Sequence, residues 1–203
     1  MDELELARAA QKGDLNAFNH LVFEYQEMAF NLAYRMLGDP DIAADATQNA
    51  FISAYKALGG YRGGSFKSWV MRIVSNACLD EIRRQKRRST VPLEPYDPEE
   101  DEEIESPFWL KDGSPSPEAI LESSELEDAI QKCLQSMKQD FRLMVVMVDI
   151  QGLDYQEVAD STGLPLGTIK SRLARARGKL RECLQFFREL LPDIFRLDGE
   201  GIQ

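Results

Sequence analysis

The chain has 203 residues, of which 43% are hydrophobic and 29% charged, with a formal net charge of −11, the proportions of a soluble globular protein with room for one large domain or two small ones. Its longest apolar run, Leu143 to Val148, is far too short to span a bilayer, and the acidic N-terminus lacks the basic-then-apolar pattern of a secretory signal, so a cytoplasmic location is expected. Cys78, Cys133 and Cys183 are widely spaced and fit a reducing compartment as small buried hydrophobes, with no zinc site or disulfide framework suggested.

The charge is unevenly divided. Residues 1–60 carry −5, 61–90 carry +6, 91–128 carry −13 and 129–203 carry +1. The acidity is therefore local, and two basic regions survive it that can face a polyanion.

From Leu15 to Leu37 the apolar residues Phe18, Leu21, Val22, Tyr25, Ala29, Leu32 and Met36 follow the helical period, with Asp14 as a start signal and Gly38 as a stop. Asp39 followed by Pro40 is a cap and a first-turn proline, which predicts a second helix to about Leu58. Its outer face gathers Asp41, Asp45, Gln48 and Asn49; on composition alone this is a solvated polar face. The loop Gly59 to Ser65, GGYRGGS, matches neither the P-loop nor the dinucleotide fingerprint. Such a loop can bring its backbone close to a single-stranded base, with Tyr61 or Phe66 offering a stacking surface; alternatively it is a simple turn with Phe66 in the core.

The next helix, about Lys67 to Arg88, is predicted to bury Phe66, Val70, Ile73 and Ala77 and to carry Arg72, Asn76, Arg83 and Arg87 on a polar stripe. It ends in RRQKRR, more cations than a helix C-terminus needs on dipole grounds, which points to a nucleic-acid surface. Between Ser89 and about Ile120 the character changes. Six of the nine prolines fall there beside the acidic run PEEDEEIE, the composition of an extended linker that cannot bury enough surface to fold alone. Phe108-Trp109-Leu110 is an apolar island within it, a segment that would dock in cis or on a partner. Beyond the linker, Leu126, Ile130, Cys133, Leu134 and Met137 mark one amphipathic helix from Ser123, and Arg142 to Ile150 a second, ended by Gly152.

Leu153 to Arg181 is the most informative stretch. Asp154 and Glu157 form a capping box, and Leu153 with Val158 close a hydrophobic staple around it. Gly163 and Pro165 stop this helix and start the next. In the second helix Leu166, Ile169, Leu173, Ala176 and Leu180 share a face that should be buried. Thr168, Ser171 and Arg175 lie opposite, flanked by Lys170, Arg177 and Arg172. Six basic residues and no acidic one lie between Gly167 and Arg181. Short polar and bidentate side chains at the centre of a helix, with cations at its flanks, suit base edges and phosphates of a major groove, so this is a helix-turn-helix.

Taken together these stretches resemble the extracytoplasmic-function (ECF, group IV) class of the bacterial sigma-70 family, over about residues 14–88 and 123–190. The resemblance implies an all-α fold of two small helical domains. These are a sigma-2-like domain (residues 1–88) and a sigma-4-like helix-turn-helix domain (123–192), joined by a flexible acidic linker (89–122) and followed by a tail (193–203). It implies a factor, not an enzyme and without cofactor or metal, that recruits core RNA polymerase to promoters through −35 and −10 elements and helps open the −10 region. Segment DPDIAADATQNAFISAYKAL looks like the helix that binds the beta-prime clamp helices, which would make Asp45, Gln48 and Asn49 a docking face. The beta flap is the other expected contact. YRGGSFKSWVMRIVSNACLDEIRRQKRR looks like the −10 reader. It implies that Tyr61, Arg62, Gly63, Gly64 and Ser65 capture a flipped base and that Asn76, Asp80 and Arg83 touch the −10 strand. Of the −35 contacts, Lys170, Ser171 and Arg175 would be primary, with Thr168 and Arg172 supporting. The acidic linker would occupy the RNA exit path of the polymerase. An anti-sigma factor is a further expected partner.

Two other classes compete. A conventional helix-turn-helix regulator would use residues 14–88 for sensing or dimerisation, which leaves the basic Lys67 to Arg88 helix without a role. A metal-dependent nuclease using the linker carboxylates would need them held to about 0.5 Å, which a proline-broken stretch cannot do.

Overall fold

The computed structural model describes residues 2–89 and 117–191, with side chains from 125 in the second part. Every regular element among them is helical: α1 (Glu3–Gln11), α2 (Leu15–Leu37), α3 (Pro40–Ala57), α4 (Phe66–Ser89), α5 (Pro117–Ser136), α6 (Gln139–Val145), α7 (Tyr155–Thr162) and α8 (Leu166–Leu184). Short 3-10 turns follow α3 and α8, and a π-helical turn, Val146–Ile150, extends α6. None of these helices is long and apolar enough to cross a membrane. The acidic run, the Phe108-Trp109-Leu110 island and the tail after Pro192 lie outside the described residues.

Local chemistry sets most boundaries. Asp14 accepts from the Asn16 and Ala17 amides at the start of α2, and Asp39 accepts from Asp41 and Ile42 at the start of α3, with Pro40 in the first turn. Gly38 ends α2 in the left-handed conformation, φ 85°, where a Cβ would be penalised. Helix α1 was not anticipated; an Asp2–Glu5 capping box starts it, and Ala7 and Ala10 bury it against α2. α5 starts at Pro117, inside the stretch read as linker. Proline is well tolerated in the first helical turn, and the following EAILE favours helix.

The apolar core is one cluster running through both halves of the chain, from Leu21, Leu32 and Met36 through Phe66, Val70 and Met71 to Met144, Met147, Leu153 and Ile169. This alters the expected buried stripe of α4. Met71, Val74, Cys78 and Ile82 are buried, whereas Ile73 and Ala77 are only partly so. The helix is covered by α2 and α3 on one side and by α7 on another, so its buried face is wider and rotated from the one its periodicity indicated.

Polar groups tie the halves together at the end of α2. Gln131 Nε2 donates to Tyr34 O at 3.1 Å, Gln135 Nε2 to Arg35 O at 3.3 Å, and Arg142 Nη1 to Met36 O. The last carbonyls of a helix have no partner within it, and here the second half supplies donors to them. Ser161, 2% exposed, adds a hydrogen bond from its Oγ to Ser68 O (2.9 Å), and Lys67 pairs with Glu157 at 2.9 Å.

The cysteines need a correction. Cys133 in α5 and Cys183 in the last turn of α8 form a disulfide, with Cα atoms 5.7 Å apart. Tertiary packing brings together residues separated by 50 positions, which spacing alone could not reveal. Only Cys78 fits the expected buried thiol.

Candidate nucleic-acid interface

Helices α7 and α8 form a helix-turn-helix. Asp154 Oδ1 accepts from Glu157 N at 2.8 Å and Glu157 Oε2 from Asp154 N at 2.9 Å, the reciprocal capping box. Gly163 turns the chain at φ 70°. Ile169, Leu173 and Ala176 bury α8, while Leu180 is partly covered. Leu166 departs from expectation: it is 41% exposed, because the first residue of α8 lies beyond the reach of the core beneath.

On the opposite face Lys170, Ser171 and Arg175 are exposed and Thr168 is half-buried. The cations divide into two kinds. Arg172 pairs with Asp140 at 3.3 Å, and Arg177 makes a two-pronged pair with Asp149, Nε to Oδ2 at 3.0 Å and Nη2 to Oδ1 at 2.5 Å. The Asp149 hydrogen bond holds the Arg177 guanidinium charged more firmly still. Lys170 sits 5.8 Å above the Tyr155 ring, a cation–π distance. Arg175, by contrast, makes no hydrogen bond or ion pair among the described residues. Both flanks of the helix are thus tied to the domain, Arg172 on one and Arg177 on the other, while Arg175 on the face between them makes no such pair.

The glycine loop adopts a defined shape. Leu58–Gly60 is a 3-10 turn, and Gly63 and Gly64 have φ of 95° and 90°. Arg62, Gly63, Gly64 and Ser65 are exposed. The aromatic side chains are not. Tyr61 is 6% and Phe66 1% exposed, packed with each other and Trp69 at centroid separations of 5.3 to 5.5 Å. Neither ring offers a stacking surface, a correction with a plain cause: both are packed into the aromatic cluster with Trp69, where their apolar faces are already covered. The Tyr61 hydroxyl donates across the loop to Gly64 O at 2.6 Å. Burial, reinforced by the nearby Glu3 carboxylate, raises its pKa and keeps it protonated for that role.

Along α4 the side chains of Asn76, Asp80 and Arg83 are exposed on one stripe, with Arg83 Nη1 paired to Asp80 Oδ1 at 2.7 Å. On α3 Asp45, Gln48 and Asn49 are all exposed, beside Ile52 and Tyr55, which are 46% and 41% exposed. The structure therefore gathers three separate polar faces, on α8, on the loop with α4, and on α3. What was missed beforehand is the support beneath them: Glu3, Gln11, Gln131, Gln135, Arg142 and Ser161. Of these only Arg142, standing at the head of an apolar run, carried a signal that it is buried.

The fold is all-helical with a helix-turn-helix in its second part, and comparison with known proteins gives its class. Residues 21–88 match the family model for Sigma-70 region 2, and residues 127–180 that for Sigma-70, region 4. The ECF RNA polymerase sigma-E factor of Escherichia coli K12 is 38% identical over 181 residues, covering 89% of this chain and 93% of that protein. ECF RNA polymerase sigma factor SigE of Mycolicibacterium smegmatis is 36% identical over 171 residues, with 83% of this chain matched; the chain spans 62% of that relative's length. The solved structure of CnrH in complex with the cytosolic domain of CnrY superposes with a TM-score of 0.63 at 25% identity, covering 90% of this chain and 96% of that one.

The chain belongs to the sigma-70 family, in its extracytoplasmic-function class. It acts with RNA polymerase in promoter-specific transcription initiation, and a conventional regulator is not favoured because region 2 occupies the part such a protein would use for sensing.

Proposed function

We propose that recognition is divided among the three faces as follows. The second domain, about residues 123–192, reads the −35 element through α8. Arg175, with Ser171 and Lys170, meets base edges and adjacent phosphates, while Thr168 supports the entry of the helix into the groove. Arg172 and Arg177, held by Asp140 and Asp149, are pre-oriented cations for the flanking phosphates. The observation that carries this reading is the exposed Arg175 guanidinium, unpaired among the described residues, on the face between the clamped Arg172 and Arg177; a bidentate arginine is the usual partner of guanine O6 and N7.

The first domain, about residues 1–88, engages the −10 element with the loop Arg62 to Ser65 and with Asn76, Asp80 and Arg83 on α4. With Tyr61 and Phe66 in the core, a flipped base would be held by the loop backbone and by Arg62 and Ser65. Gly63 and Gly64 permit that approach because no Cβ stands in the way. Asp45, Gln48 and Asn49 form the face that docks on core polymerase. Residues 89–122 join the domains and the tail follows 192. The protein works by binding in the cytoplasm rather than by catalysis, and the likeness to CnrH, solved with the cytosolic domain of CnrY, supports a protein partner for this chain, for which an anti-sigma factor is the reading.

The test pairs two substitutions. Arg175→Ala should cost about 1–3 kcal/mol at the −35 site and relax base preference there, measured by competition binding on variant promoters with holoenzyme. Asp45→Ala should weaken association with core polymerase and leave −35 preference intact. Unchanged −35 preference in Arg175→Ala would overturn the assignment of α8.

A further inference from the structure

We propose that α1 is a positioning element for −10 recognition, in which Glu3 and Gln11 hold the base-capturing loop in shape from its two ends. This rests on the reading of Arg62 to Ser65 given above and extends it to a helix outside the region 2 match, which begins at residue 21.

A loop with glycines at 59, 60, 63 and 64 has much backbone freedom to lose before it can present a fixed surface. The short 3-10 turn accounts for the first few residues only. Gln11 supplies the near anchor, its Nε2 donating to Leu58 O at 3.0 Å and to Tyr61 O at 2.7 Å. Glu3 supplies the far anchor. Its Oε1 accepts from the Phe66 amide at 2.6 Å and its Oε2 from the Tyr25 hydroxyl at 2.6 Å.

Phe66 N is one of the orphan amides at the start of α4, so a carboxylate there satisfies a donor and meets the positive end of the helix dipole. Tyr25 is a buried pillar of α2 whose phenol is kept protonated by burial first and by Glu3 second. The Glu3 carboxylate therefore joins the loop's exit to the core of the domain. Between the anchors, Leu4 Cδ1 lies 4.0 Å from where a Cβ on Gly63 would stand, and Tyr61 spans the loop to Gly64 O. α1 itself is fixed by its capping box and by the burial of Ala7 and Ala10. With these contacts in place, Arg62 to Ser65 stay exposed.

The test uses the full chain with core polymerase on two promoter sets, one randomised across the −10 element with a constant −35 element and one the reverse, reading base preference from transcript counts. Glu3→Ala and Gln11→Ala should each lower discrimination at the loop-read base about fivefold or more, a typical cost of one mismatched contact. Preference at the −35 element and affinity for core should be unchanged. Glu3→Gln should restore most of the loss, since its amide oxygen can accept from Phe66 N and its NH2 can donate to the Tyr25 oxygen. Arg62→Ala and Ser65→Ala run in parallel as a check on the loop itself. If those two reduce −10 discrimination while the Glu3 and Gln11 variants do not, the role of α1 is overturned and the loop reading stands. If neither loop variant has an effect, the loop reading fails and α1's role with it. Equal losses at −10 and −35 in Glu3→Ala and Gln11→Ala would mark general unfolding and would also overturn the positioning role.

Discussion

Replacing Arg142 should uncouple the two halves of the molecule. Its side chain is 6% exposed and donates to Met36 O, to Gln135 Oε1 at 2.5 Å, to Gln135 O at 2.7 Å and to Met137 O at 3.4 Å. No carboxylate pairs with it among the described residues, and burial alone lowers its pKa. Arg142→Met keeps the volume, removes a buried charge and strips those acceptors of their donor. Three main-chain carbonyls, Met36 O, Gln135 O and Met137 O, lose this donor, at roughly 1–3 kcal/mol for each one left unserved. Relief from burying an unpaired cation offsets part of this, because desolvation of such an ion costs several kcal/mol. A net loss of about 2 kcal/mol follows, read as a lower urea midpoint. Since the Met36 bond joins the halves, small-angle scattering should also report a larger radius of gyration. Arg142→Lys should not rescue, because one ammonium cannot reproduce the planar fork. A midpoint within about 0.5 kcal/mol of wild type, the range of an ordinary surface substitution, with unchanged dimensions, would refute the reasoning.

Other outcomes follow from the same contacts. Reduction of Cys133–Cys183, which closes a loop of 50 residues, should destabilise the second domain by up to about 4 kcal/mol on the chain-entropy account, seen as a lower Tm with dithiothreitol; Cys78→Ser should leave that difference in place. The Cys78 thiol, fully buried and pushed up to about 12 by that burial, should resist alkylation in the native protein at pH 8 and react on unfolding. Because its folded pKa is raised, the stability it contributes is complete below the unfolded thiol range near pH 8.5 and declines as pH climbs towards 12; a native thiol labelled rapidly at pH 8 would contradict this. Glu157→Gln, which removes the Lys67 pair but keeps the side-chain length, should cost less than about 1 kcal/mol, since both partners are about a quarter exposed and water screens them.

Local signals were legible in the chain. The Asp154–Glu157 box, the Asp39-Pro40 start and the glycine stops at 38 and 163 each depend on residues within one helical turn, and each stands where its chemistry places it. What could not be read depends on distant partners. Tyr61 and Phe66 carry no mark that distinguishes a stacking ring from a core ring until α1 and Trp69 close around them. Ile73 and Ala77 follow the helical period of α4 but yield their place to Val74 and Cys78 once α7 packs against it. Arg142, Gln131 and Gln135 find their acceptors about a hundred residues away at the end of α2. The three polar faces were legible as patterns of residues; the scaffolding beneath them is tertiary and left little trace in the order of residues.

The central claim is that this chain directs core polymerase to promoters through two spaced elements. The most direct measurement is transcription by bacterial core polymerase on fragmented genomic DNA, with RNA 5′ ends mapped in the presence and absence of the protein. New start sites that share a −35 and a −10 motif at constant spacing, with the −35 motif degraded by Arg175→Ala, are the predicted result. Sequence-specific binding of the protein alone to duplex DNA, with no start sites that depend on it, would contradict the account.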